Sequence, residues 1–165
     1  MGMLRSSNIE CLAREPGREW LFSSGPLEYS GLNFPVIVSA GSACATETDR
    51  APESLVVKAH LDTGASVTSV DFNLANSIGL VPVGTTSLQT AGGLMEFSNF
   101  VVNLRFPSST LAPLANLQIC SCDMGFDPNK PLDDPRNFGL LIGRDIMSRW
   151  NIVWNGPSST VIIND

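Results

Sequence analysis

The chain has 165 residues, 43% of them hydrophobic and only 16% charged, with a formal net charge of −6. That length suits one domain with a proper core, and a charged share below the usual ~25% suits extensive β structure or a sizeable buried interface. The acidic balance argues against a nucleic-acid binder, which shows a basic face, and no apolar run approaches the ~20 residues of a membrane span.

Met1-Gly2-Met3-Leu4-Arg5-Ser6-Ser7 has no apolar core like a signal peptide's. Gly2 and Ser6 fit the loose myristoylation pattern, which arises easily by chance. Glu19-Trp20-Leu21-Phe22 reads as a short strand, followed by turns at Gly25-Pro26 and Ser30-Gly31. Phe34 to Val38 is a strand, with Pro35 at its start, where a missing donor is tolerated. Residues 39 to 53 are small, polar and charged, which predicts a surface loop. From Leu55 to Leu61 apolar residues alternate with Val56, Lys58 and His60, a period-2 strand. The chain turns at Thr63-Gly64 and resumes as a β-branched strand, Val67 to Val70. Phe72 to Ile78 reads as a helix with Asp71 as N-cap and Gly79 as its stop, and Leu80 to Val83 is extended again.

Thr85 to Phe106 reads as a long hairpin with its tip at Ala91-Gly92-Gly93, where adjacent glycines accept the positive φ of a tight turn. Residues 107 to 138 hold five of the eleven prolines. Within them Leu114 to Cys122 forms a strand and Phe126 to Asn137 a loop. Leu140 to Ile142 is a short buried strand. Asp145 caps a brief helix from Ile146 to Trp150. Asn151 to Trp154, a Gly156-Pro157 turn and Thr160 to Ile163 make a final hairpin. The sum is an all-β chain with one or two short helices.

The cysteines, Cys11, Cys44, Cys120 and Cys122, are irregularly spaced, so reduced thiols in a cytoplasmic setting are the default. The Cys120-x-Cys122 pair reads either as a metal-binding pair or as small, half-buried positions on one strand. With His60 as the single histidine, a zinc site would need thiolates or carboxylates. No metal or cofactor is expected.

The densest chemical signal is Asp62-Thr63-Gly64-Ala65-Ser66 at the end of the 55–61 strand, with Leu141-Ile142-Gly143-Arg144-Asp145 far downstream. Peptide hydrolysis without a metal or covalent nucleophile needs a base to activate water and an acid to protonate the departing amide. Two close carboxyls supply both, because two like charges that near cannot both ionise and one proton is shared. The chain has a single Asp-Thr-Gly. A dyad therefore demands a second copy related by a two-fold axis, which places Asp62 twice at the axis. The Thr63 hydroxyl is suited to bonding across that axis. Gly64 lets backbone donors approach the carboxylate. Ile142 and Gly143 are expected to pack against this loop, and Gly92-Gly93 to close over a bound peptide. Taken alone, each piece has a plainer reading. Asp62 could end a strand in an ordinary turn, Gly92-Gly93 could be a simple hairpin, and Asp145 is a cap rather than a second acid. His60 either faces the cleft or sits satisfied on a strand face.

In this order and spacing, the motifs resemble those of the retropepsins, the retroviral-type aspartic proteases with cellular and bacterial relatives. The resemblance runs from about Phe34 to Ile163. It implies a small closed β-barrel acting as a homodimer, a peptide or protein substrate in a cleft at the interface, and a flap bearing Gly92, Gly93 and Leu94. Asp62 is then catalytic, Thr63, Gly64 and Ala65 complete its loop, and Ile142, Gly143 and Arg144 support it. Arg144 matches the family's structural arginine. The retroviral partner of that arginine is often an acidic residue where Ser66 stands here. Residues 1–33 form an extension or extra strand before a 34–165 domain with an insertion near 107–138, and are a candidate propeptide. Ala65 offers no hydroxyl to the dyad, which predicts activity at mildly acidic to near-neutral pH. The family implies bulky apolar residues beside the scissile bond, an expectation that apolar cleft physics shares. The competing function is a silent dimerisation or peptide-binding module.

Overall fold

The computed structural model describes residues 10–14, 19–23, 31–42, 54–90, 92–107, 109, 111–134, 136–157 and 160–165. The chain is mostly β with two short helices. The larger sheet holds β3 (Leu32–Ala40), β4 (Leu55–Leu61), β5 (Ser69–Asp71), β6 (Gly84–Thr90), β7 (Gly93–Arg105), β8 (Leu114–Cys122) and β9 (Leu140–Ile142). The helices are α1 (Phe72–Ser77) and α2 (Arg144–Met147). A smaller sheet joins β1 (Glu10–Arg14) and β2 (Glu19–Ser23) to β10 (Asn151–Asn155) and β11 (Thr160–Asn164), in the order β1-β2-β11-β10.

Alternation builds the core. Phe34, Val36 and Val38 of β3 and Val57, Ala59 and Leu61 of β4 are buried, and Phe100, Val102 and Leu104 of β7 join them. The strand order is β3-β4-β9-β5-β8-β7-β6, and β3 pairs with β7 as well, so the pairings run back to where they began. β9 lies between β4, to which it is parallel, and β5, to which it is antiparallel. That insertion decides the site, because the 62–68 turn joins the two strands that β9 separates.

Asp71 starts α1 by accepting from Asn73 N at 2.7 Å. Its other oxygen accepts from Met124 N at 2.7 Å and Phe126 N at 3.3 Å, so one buried carboxylate also anchors the loop after β8. Gly79 follows the helix at φ 68°, as a helix stop requires.

Several boundaries differ from the sequence reading. β3 begins at Leu32 rather than Phe34, and the β-branched run at 67–70 yields a strand only over Ser69–Asp71. The second helix covers Arg144–Met147, not 146–150. Its N-cap is Gly143, with no side-chain cap bond; Asp145 sits in the first turn and spends its carboxylate elsewhere. Residues 80–83 form no strand. β1, an edge strand paired with β2, was not foreseen. Ala91, Cys44 and the Gly25-Pro26 turn lie outside the described residues, as does most of the 39–53 loop. No described helix is long and apolar enough to cross a membrane.

Candidate active site

The site begins where β4 ends. Asp62 N donates to Ile142 O at 3.0 Å, continuing the β4–β9 ladder one residue past the strand. The chain then turns: Gly64 N donates to Asp62 Oδ1 at 2.7 Å, and Ala65 N to Asp62 O at 3.2 Å. A Cβ on Gly64 would stand 3.0 Å from Asp62 Oδ1, so glycine is what lets the amide reach the carboxylate. Asp62 is half-buried, Thr63 and Gly64 are exposed, and Asp62 Oδ2 takes no bond from the described residues. One carboxylate oxygen is held and the other is open to solvent.

The downstream motif grips this turn from behind. Arg144 N donates to Ala65 O at 3.0 Å, and Arg144 Nη1 to Thr63 O at 2.6 Å. Gly143 is pressed against the chain at Val67–Thr68; a Cβ there would lie 2.5 Å from the Val67 carbonyl carbon. Gly143 N donates to Thr68 Oγ1 at 3.0 Å. That hydroxyl donates onward to Asp145 Oδ1 at 2.8 Å, and Thr68 N donates to Asp145 Oδ2 at 3.0 Å. Thr68 is completely buried, so each of these bonds removes a polar group that would otherwise cost about 1–3 kcal/mol.

No protein-family model matches the chain. No curated protein matches it either. Among solved structures, the chain is similar to a retropepsin-like aspartic protease from Rickettsia conorii, with 14% identity over 88% of this chain and 89% of that one, at a TM-score of 0.52. The fold is retropepsin-like. At that identity the likeness is one of backbone path alone, and the roles of individual side chains rest on the geometry above.

Within this retropepsin-like fold, Asp62, Thr63 and Ala65 bond to Ile142 and Arg144, Gly64 bonds back to Asp62, and Gly143 packs against Val67–Thr68 just downstream. Gly92, Gly93 and Leu94 do not join them. They lie at the far end of the β6–β7 hairpin, where Thr90 pairs with Gly93, and no hydrogen bond among the described residues ties them to the Asp62 turn. Arg144 makes its side-chain hydrogen bond to the Thr63 backbone carbonyl rather than to a carboxylate. Thr68 and Asp145 are the positioning residues that the sequence reading missed. The available signal was a β-branched hydroxyl immediately before a buried strand.

His60 resolves as a partnered residue beside the turn. Its Nδ1 is 2.8 Å from Asn33 Oδ1, and its ring lies 5.3 Å from that of Phe138. Burial pushes its pKa below the ordinary histidine value, and the charge of Asp62 opposes that shift without cancelling it. Lys58 is buried two residues earlier. Its Nζ donates to Asp134 O and sits 5.4 Å above the Phe138 ring. Desolvation lowers its pKa, against the pull of Asp134 and Asp133. Cys120 is buried with its Sγ 3.1 Å from Ser69 Oγ. Burial, aided by nearby Cys120 and acidic residues, pushes the Cys122 thiol up, away from thiolate character.

Proposed function

We propose that the protein is a homodimeric aspartic endopeptidase in which Asp62 and the partner's Asp62 activate one water against a peptide bond. The observation that carries this reading is the asymmetric hold on Asp62: Oδ1 is fixed by Gly64 N, while Oδ2 faces solvent on an exposed turn. A lone carboxylate there is a weak base with no acid beside it. A second copy supplies the acid and encloses the site, and the pair shares a proton. The chemistry calls for no metal or cofactor. Thr63 is exposed and free to bond across the axis.

In this reading residues 34–165 form the catalytic unit, closed as a barrel through the β3–β7 pairing, with 107–138 inserted and 1–33 added in front. The β6–β7 hairpin is the flap, with Leu94 above the substrate, and the cytoplasm is the working compartment. Ala65 leaves the dyad without a hydroxyl donor, so the activity extends from mildly acidic to near-neutral pH. Cleavage of a peptide library by wild type and Asp62→Asn tests the reading, with light scattering to count subunits. Activity should fall by roughly 10³-fold or more in the variant while the dimer persists. A wild type that stays monomeric, or that cleaves nothing between pH 3 and 8, defeats the proposal in favour of a silent module.

A further inference from the structure

The Asp62 turn does not account for the outer face of β4. Val57, Ala59 and Leu61 point into the core, so Val56, Lys58 and His60 share the opposite face. The Asp62 N to Ile142 O bond carries the ladder past the strand end. Strand alternation therefore puts Asp62 on the same face as His60, about 7 Å further along. Phe138 lies across this face, with His60 at one side of its ring and the Lys58 ammonium at 5.4 Å. Both His60 and Phe138 are only half-buried, so each keeps some open surface, and the imidazole lies within reach of the Asp62 charge. The imidazole is also fixed in place. Asn33 Oδ1 holds Nδ1, and Gly31, at φ 62°, packs so close that a Cβ would stand 2.7 Å from His60 Cε1.

We propose that His60 and Phe138 are the specificity-determining pair of the cleft, taking a flat aromatic substrate side chain beside the scissile bond while the imidazole is neutral and favouring an anionic one once it is protonated. The inference rests on the protease reading above. Two ring faces of this kind reward aromatic contact beyond simple burial. A proton on the imidazole makes the same wall cationic and costs it apolar contact.

The surroundings set where the change falls. Asn33 from β3 and Leu141, its β9 neighbour in register, are neutral. Asp62 draws the proton on; Lys58, across the Phe138 ring, is the nearby cation, and Asp133 and Asp134 act on it. Burial is the largest influence, so the wall stays neutral at pH 7 and gains its charge only below the ordinary histidine range.

The test uses peptides with a reduced, uncleavable bond that differ only beside it: Phe, Ala, or cysteic acid, whose sulfonate stays ionised throughout. Their affinities are measured by calorimetry from pH 4.5 to 7.5, alongside kcat/KM for the cleavable versions. At pH 7.5 the Phe peptide should bind about tenfold or more tighter than the Ala peptide. The Phe-to-cysteate ratio should fall by about tenfold on acidification. His60→Gln should flatten that pH dependence, and Phe138→Leu should shrink the Phe-to-Ala ratio while keeping bulk. Equal binding of all three peptides, or a pH dependence that survives His60→Gln, overturns the inference even if cleavage is normal. Selective binding without any cleavage sinks the protease reading and leaves the wall standing.

Discussion

The Asp62 turn and the β6–β7 tip are both exposed and both rely on glycine, yet they are held in opposite ways. The turn is fastened to a distant part of the chain by Ile142 O, the Arg144 amide and guanidinium, and the Thr68–Asp145 pair. Among the described residues, the tip's side-chain bonds are to itself: Thr90 Oγ1 donates to Gly93 O and accepts from Gly92 N. The β7–β8 pairing begins at Asn99, so the outer hairpin stands alone, with Leu94 72% and Met95 50% exposed. One loop is built to hold an atom still. The other has few ties to the rest of the chain, which is what the proposed flap would need.

Gly143→Ala should break the comparison most severely. Its Cβ would meet backbone, which cannot step aside, so about 3 kcal/mol should be lost. Thermal unfolding should show this as a Tm drop of roughly 10 °C. Thr68→Val keeps the shape but leaves Gly143 N without its acceptor and takes one of three donors from the Asp145 carboxylate. About 2 kcal/mol should go, and kcat should fall more than KM rises, because the turn loses position rather than affinity. An unchanged kcat would mean that the turn holds itself.

A smaller effect should come from His60. An unfolded chain protonates its histidine near 6.5, whereas the folded chain resists until a lower pH. Between those values the unfolded state binds more protons, so stability falls as pH drops from about 6.5 through the folded value. His60→Gln should remove that part of the slope in Tm against pH. Least of all, Leu94→Ser at the tip should change stability by under about 0.5 kcal/mol while raising KM. A tip substitution as costly as Thr68→Val would show that the hairpin is not free.

The two regions were also unequally legible in the sequence. β4 and β9 could be bounded from alternation and apolar runs, because those strands have one dry face. The Asp62 turn and its partners followed from a motif whose chemistry constrains every position. Asp145 was misplaced because a local rule, acid before helix, competes with a tertiary one: Thr68, 77 residues away, offered two donors. The pairing of β2 with β11 and the overlap of Phe138 with His60 were invisible for the same reason. Period and propensity describe a strand's faces, not its neighbours.

The late arrival of β9 between β4 and β5 has a consequence for biosynthesis. A nascent chain extruded only through β8 already carries Asp62, but without Ile142 O, Arg144 or Asp145 to shape its surroundings. Contacts of such long range form slowly. Whatever bond-breaking capacity resides in this carboxylate is thus withheld on the ribosome, and maturation of the polypeptide acts as its own safety catch.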